Sequence, residues 1–168
     1  SFDTRKVYDI GTLTGPYSGP SRGGCTSLLY DTRGSKLLNH ALVLSGCEHN
    51  CAGGVTPQGT WISCEESVVG PTDALSRAQV HGWCFAVPAT SRPHLVDPVP
   101  VKPMGRFNHE AVAVDPATGI VYMTEDRQDG VLWRYLPDEP GRLLEGGRLQ
   151  AMAIVEQPQR DMRNWEGA

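Results

Sequence analysis

Two pairs of neighbouring acidic residues stand at the ends of two apolar segments with the character of β-strands. Glu65-Glu66 ends the first segment, and Glu125-Asp126 ends the second, 60 positions later. Because alternate side chains of a strand face opposite ways, the first members of the two pairs are expected to share one orientation and the second members the other. Converging carboxylates repel each other unless a proton or a cation compensates them, and Ca²⁺ takes roughly six to eight oxygen ligands. The pairs therefore predict a cation site, with solvated acids at strand ends as the alternative.

A cysteine in a glycine-rich loop is the second candidate. Cys51 lies in the segment Asn50–Gly54, which reads NCAGG. Small residues on both sides let the backbone come close to a ligand, and a thiolate is a soft ligand for iron or zinc. A β-turn with an inert cysteine is the alternative, which the residues taken alone favour.

Basic residues close to the acids are the third candidate. Arg106 and Arg127 could each bind a phosphate through two hydrogen bonds, or could hold a neighbouring acid such as Glu125. His109 and Glu110 are potential metal ligands at the start of another predicted strand. Adjacent residues of a strand face opposite ways, so the two are not expected to bind one ion, and a surface or hydrogen-bonded His109 is favoured.

The elements that must position these side chains are short strands separated by turns rich in glycine, proline and aspartate. No segment shows a sustained helical period with caps. The predicted strands are Thr26–Tyr30, Leu38–Leu44, Thr60–Glu65, Trp83–Val87, Glu110–Val114, Ile120–Glu125, Val131–Leu136 and Leu149–Val155.

An internal repeat organises these strands. Val55 and Pro57 recur as Val114 and Pro116, 59 positions later, and the acidic pairs recur with nearly the same offset. A period of about 50–60 residues with several strands is typical of β-propeller blades, of which about 4–8 are needed to close a ring. We therefore expect an all-β chain that forms part of a β-propeller, with an unrelated antiparallel sandwich as the alternative. The predicted partial domain spans residues 1–168 with about two to three blades, in repeat units 19–49 (partial), 50–107 and 108–155.

Composition narrows the possible partners. A net charge of −4 gives no basic surface for nucleic acid, and no apolar stretch approaches the ~20 residues of a membrane helix. The five cysteines include no CxxC pair, so they indicate neither a disulfide framework nor a zinc site. Cys64 and Cys84 lie in apolar segments and are expected to be packed in the core.

Several motifs together resemble the PhoX-type alkaline phosphatases. The resemblance rests on Asn50–Trp61 with Cys64–Glu66, then Gly105–Glu110, then Thr124–Arg127, in the same order as in the family, with Gly23-Gly24 and Ser27-Leu28 upstream. It runs from about Gly19 to Pro137. Gln58 stands where many relatives have tryptophan, which alters the loop without removing a ligand.

The resemblance implies a periplasmic or secreted enzyme that hydrolyses phosphomonoesters, with iron and calcium in the channel mouth of a β-propeller. It implies that Cys51 ligates iron and, with Glu110, belongs to the catalytic centre. The implied carboxylate ligands are Glu66 or Glu65, Glu110, and Glu125 or Asp126. A later arginine–glutamate segment of the family has no match here, so the chain is expected to lack part of the site and to expose sheet edges that favour oligomers.

Two other functions fit the same acids. One is a calcium-stabilised β-propeller that binds without catalysis, since propellers host many functions. The other is a propeller lactonase with one Ca²⁺, which the cysteine motif disfavours.

Overall fold

The structure, a computed structural model, describes residues 3–12, 19–73 and 77–161. The strands in these ranges are β1 (Gly23–Asp31), β2 (Lys36–Cys47), β3 (Gly54–Val55), β4 (Thr60–Cys64), β5 (Cys84–Pro88), β6 (His109–Val114), β7 (Val121–Glu125), β8 (Trp133–Pro137) and β9 (Gly147–Ala151). Helical structure in the same ranges is limited to single 3₁₀ turns at Thr4–Lys6 and Lys102–Met104. The all-β class is therefore confirmed, and every predicted strand overlaps an observed one.

The strands form three antiparallel sheets that follow one another along the chain. β1 pairs with β2, β3-β4-β5 form the second sheet, and β6-β7-β8-β9 form the third. The third sheet has the up-and-down order of a propeller blade, and the chain is part of a β-propeller. The second sheet has three strands, and a single bridge between Phe85 and Pro100 stands where a fourth would pair. Proline lacks the N–H that a ladder needs, so the proline-rich segment around Pro100 does not extend this pairing.

Two apolar clusters join the sheets, one on each face of β5. Phe85 and Val87 pack with Val43 and Leu44 of the β1–β2 hairpin. Cys84, which precedes Phe85 and faces the opposite side of the strand, joins the larger cluster shared with the third sheet. The larger cluster contains Ile62, Cys64, Cys84, Val101, Met104, Phe107, Val112, Val121, Met123, Tyr135 and Leu143. The middle sheet is thus buried between its neighbours, as a blade is in a propeller.

The limits of the repeat units remain predictions. The predicted domain range includes residues 1–2, 13–18, 74–76 and 162–168, which lie outside the described residues. Within the described part of the chain, no helix is long and apolar enough to cross a membrane.

Candidate metal centre

Two glycines bring the Cys51 loop into contact with the strands on either side of it. Gly53 has φ of +90°, and a Cβ there would collide with the carbonyl of Ile62 on β4. A Cβ on Gly54 would collide with the carbonyl of Val112 on β6. The loop also pairs with β6 through the Gly53 N–H, which donates to the Glu110 carbonyl at 3.0 Å. The small residues therefore allow close approach to the protein's own backbone. The sequence had suggested that they allow close approach to a ligand.

The same loop runs antiparallel to the end of β4. The Cys51 N–H donates to the Cys64 carbonyl at 2.9 Å, and the Glu66 N–H donates to the His49 carbonyl at 3.0 Å. The Cys51 thiol consequently lies beside the Glu66 carboxylate, and Glu66 and Glu110 are both close enough to act on it electrostatically. Cys51 is a free thiol, as predicted.

Glu66 faces the second acid of the other repeat. The Glu66 carboxylate lies beside the Asp126 carboxylate, across the gap between the second and third sheets, and the two acids influence each other's ionisation. Asn108 holds the backbones of Glu66 and Asp126 at a fixed spacing. Its side-chain amide donates to the Glu66 carbonyl at 2.7 Å, and its own carbonyl accepts from the Asp126 N–H at 3.1 Å. We call the resulting group of Cys51, Glu66, Glu110 and Asp126 the acidic cluster.

The acidic cluster concentrates negative charge. The hydrogen bond with Asp126, burial and the charge of Asp126 together raise the pKa of Glu66. Burial raises the pKa of the Cys51 thiol, and the charges of Glu66 and Glu110 raise it further. His49 lies 3.7 Å from a Glu66 oxygen, but its ring is 69% exposed, so it compensates little of this charge. Groups whose ionised forms are disfavoured in this way become ionised when a cation binds between them.

The donor types in the acidic cluster fit iron and calcium. A thiolate is a soft ligand suited to iron, and carboxylates suit calcium and iron alike. Across residues 3–12, 19–73 and 77–161, no three His, Cys, Asp or Glu side chains are close enough together to enclose an ion by themselves. The described residues therefore offer a set of donors along one mouth of the sheets, without a finished coordination shell.

Glu65 and Glu125, the other halves of the acidic pairs, have structural positions. Glu65 is fully buried, and its carboxylate accepts from the N–H groups of Glu48, Gly82 and Trp83 at 2.8–3.1 Å. Glu125 repeats this arrangement in the third sheet, accepting from the Val131 N–H and the Trp133 indole N–H. Each acid thus fastens the end of one strand to the beginning of the next. The expected shared orientation is present, and it directs these two acids into the sheets, where their oxygens are occupied by N–H donors.

The two arginines differ. The Arg106 guanidinium donates to the carbonyls of His81 at 2.7 Å and Val69 at 3.3 Å. It therefore fastens loops together, which argues against its predicted contact with phosphate. Arg127 lies next to Asp126 with an exposed side chain, 3.6 Å from the Asp129 carboxylate. An exposed pair of this kind is weak, so Arg127 is free to turn toward an anion.

Of the two roles that the sequence favours for His109, surface or hydrogen-bonded, the structure shows the second, with the ring buried. Its Nε2 is 3.0 Å from the Gly105 carbonyl, and its Nδ1 is 3.3 Å from the Cys84 sulfur. Burial lowers the pKa of His109 to about 4, so the ring is neutral at physiological pH. His109 therefore faces the core, while Glu110 faces the acidic cluster.

Two further residues hold Glu65, next to the acidic cluster, and no pattern in the sequence reveals them. His81 is fully buried between two carboxylates, with Nδ1 2.7 Å from Glu65 and Nε2 2.9 Å from Asp9. Asp9 also accepts from the N–H groups of Gly11 and Gln79. Asp9 and His81 are 72 positions apart with no recognisable spacing, so only the fold reveals that they meet.

Replacing Asn108 by alanine should loosen the acidic cluster. The Glu66 carbonyl loses its donor, so we expect a loss of about 1 kcal/mol in the free energy of unfolding and cation binding weaker by about 10-fold or more. Chemical denaturation and Ca²⁺ titration of the purified protein measure the two effects. Asn39→Ala, at an exposed position of β2, is the matched control. Unchanged Ca²⁺ affinity in Asn108→Ala would show that Asn108 does not set the spacing of the cluster.

Comparisons with known proteins found a matching family and a similar solved structure. The family model for alkaline phosphatase PhoX matches residues 12–167. A solved structure, Pseudomonas fluorescens PhoX in complex with the transition-state analogue vanadate, aligns with a TM-score of 0.50 and 20% sequence identity. The alignment covers 82% of this chain and 33% of that one, so the chain spans about a third of the solved protein's length. A search of curated proteins gave no match.

Proposed function

Because the chain belongs to the alkaline phosphatase PhoX family, we propose that the full-length protein hydrolyses phosphomonoesters at the mouth where the acidic cluster lies. The observation that carries this proposal is the placement of the Cys51 thiol beside Glu66, which in turn faces Asp126. A thiol and several carboxylates on one mouth suit a site for several cations. Glu110 lies on β6 and Asp126 directly follows β7, and side chains on or beside strands are positioned more precisely than side chains on loops.

We propose iron and calcium as the cations. Cys51 would hold iron, and Glu66, Glu110 and Asp126 would share iron and calcium. Bound cations would neutralise the phosphate oxygens and stabilise the charge that develops during phosphoryl transfer. The chain's own contribution is to hold these four side chains in place, through Gly53 on one side and Asn108 on the other.

Arg127 is the proposed phosphate ligand of this chain. It is exposed, lies next to Asp126 and has only a weak ion pair. A guanidinium can grip two phosphate oxygens at once. Because the chain spans about a third of the solved relative, further ligands of the substrate and the cations would come from the rest of the ring.

The location and the assembly state are also proposals. Family resemblance supports a periplasmic or secreted enzyme. Leu28, Tyr30 and Leu38 of the β1–β2 hairpin are more than half exposed. Exposed apolar strands favour association with another copy or with the rest of a ring. The net charge of −4 gives no support to nucleic acid as a partner.

Removal of metal should separate the enzyme from a calcium-stabilised binding module. We expect a strong chelator to abolish hydrolysis of a chromogenic phosphomonoester by the full-length protein, and Ca²⁺ with iron to restore it. Elemental analysis of the untreated protein should find both metals. Calcium without iron, together with no turnover of any phosphomonoester, would contradict the phosphatase and favour the binding module. Hydrolysis of lactones instead would favour the lactonase.

A further inference from the structure

Two buried cysteines lie directly opposite each other on neighbouring strands. Cys64, the last residue of β4, is paired in register with Cys84, the first residue of β5. Their sulfur atoms are 3.6 Å apart, and neither residue has any exposed surface. We propose that Cys64 and Cys84 form a cross-strand disulfide when the protein folds in an oxidising compartment.

The backbone around the pair is of the type that a disulfide can bridge. The Cys64 carbonyl accepts from the Cys51 N–H on one side of the sheet, and the Cys84 carbonyl accepts from the Val101 N–H on the other. The two residues therefore do not bond to each other through their backbones, and they form a non-hydrogen-bonded pair. Such pairs have Cα atoms about 4.5 Å apart with close side chains, within the range of about 4.4–6.8 Å that disulfides span.

The other cysteines are less suitably placed. Cys64 lies near enough to Cys25 to contribute to the raised pKa of Cys25, but Cys25 belongs to another sheet, where its register partner is Leu44. Cys47 is buried and pairs with Gly23. A Cys64–Cys84 bond leaves Cys25, Cys47 and Cys51 as thiols. It also keeps Cys51 free for the acidic cluster.

The bond forms by exchange with a disulfide supplied from outside, such as glutathione disulfide or an oxidised dithiol carrier. The thiolate of one cysteine attacks a sulfur of the carrier and releases one carrier thiolate, which takes up a proton. The thiolate of the second cysteine then attacks the protein sulfur of this mixed disulfide and releases the other half of the carrier. The two cysteines are oxidised and the carrier is reduced. Because both sulfurs are inaccessible in the folded protein, the exchange takes place before the neighbouring sheets cover them.

Refolding under controlled redox conditions tests the proposal without any measurement of phosphatase activity. The full-length protein is reduced in denaturant and refolded with a mixture of oxidised and reduced glutathione, then alkylated and digested. We expect peptide mapping to find Cys64 joined to Cys84, while Cys25, Cys47 and Cys51 are alkylated. Alkylation of both Cys64 and Cys84, or a Cys25–Cys64 bond as the main product, would overturn the proposal.

Stability provides a second measurement. A bond that closes the loop between β4 and β5 should raise the Tm of the oxidised protein by roughly 5 °C over the reduced protein. Cys84→Ser should abolish this difference while keeping a hydroxyl donor toward His109, and Cys25→Ser should retain it. An equal difference in Cys84→Ser and the wild type would contradict the pairing. If Cys84→Ser does not fold, the peptide map of the wild-type protein decides alone.

Discussion

Replacing Glu66 by glutamine is expected to lower kcat/KM of the full-length protein for a phosphomonoester by about 100-fold or more. Glu66 has the central position in the acidic cluster, between Cys51 and Asp126. Its backbone N–H donates to the His49 carbonyl, a contact that the substitution keeps. The metal-free variant should therefore be at least as stable as the metal-free wild type, since the repulsion between Glu66 and Asp126 is relieved.

The adjacent residue supplies the matched control. Glu65→Gln keeps the same size, but it puts an amide NH₂ where the carboxylate accepts several N–H donors and faces His81. We expect this variant to lose stability by about 1–3 kcal/mol in chemical denaturation. Glu66→Gln should lose activity and bound metal with its stability intact. If Glu66→Gln keeps full activity, or if Glu65→Gln is as stable as the wild type, the division between a functional and a structural acid is wrong.

This division illustrates how far the sequence leads. The repeat and the alternation of side chains predict the strand ends, the two acidic pairs and their shared orientations. They do not show which acid of each pair faces the acidic cluster and which faces into the sheet. That is decided by the N–H groups of Gly82 and Trp83, just before β5, which donate to the Glu65 carboxylate and leave Glu66 to the cluster. The equivalent donors before β8 bind Glu125.

The remaining features depend on contacts between distant parts of the chain. Asn108 lies inside a recognised motif, but its role emerges only because the Glu66 carbonyl and the Asp126 N–H approach it from two sheets. The glycines of the Cys51 loop are conspicuous in the sequence, yet the carbonyls of Ile62 and Val112 that exclude a side chain belong to two different strands. Local sequence patterns thus predict the strands and turns, while the roles of individual residues depend on contacts between distant segments.

Replacing His81 by alanine is expected to lower the free energy of unfolding by about 3–5 kcal/mol. Both ring nitrogens face carboxylates, Nδ1 toward Glu65 and Nε2 toward Asp9, so the protonated ring donates to an acid on each side. Burial opposes a charged ring, but the hydrogen bonds that the ring donates to Glu65 and Asp9, together with the charges of these acids, outweigh it and raise the pKa of His81. Alanine leaves two buried carboxylates without their cation. Chemical denaturation measures the loss, and His40→Ala, at an exposed position, should change stability by less than about 0.5 kcal/mol.

The direction of the His81 pKa shift fixes how the effect of this substitution should change with pH. Because the pKa of His81 is higher in the folded protein than in the unfolded chain, its contribution is complete at pH values below the unfolded pKa of about 6.5. It is lost as the pH rises through the folded pKa. The difference in stability between wild type and His81→Ala should therefore narrow in alkaline solution. If the difference in stability between the two proteins is independent of pH, the loss comes from packing and the charge of His81 does not contribute.

A second substitution in the same network distinguishes charge from packing directly. Asp9→Asn alone should destabilise the protein, because the folded structure holds the pKa of Asp9 below its ordinary value against the effect of burial, chiefly through the hydrogen bond with His81. In the His81→Ala background the same change removes one of two uncompensated charges, so it should restore part of the lost stability. Simple additivity of the two losses would show that Asp9, His81 and Glu65 do not act as one unit. A partial rescue would show that the buried histidine stabilises the strand end that carries Glu66 by compensating the acids on either side of it.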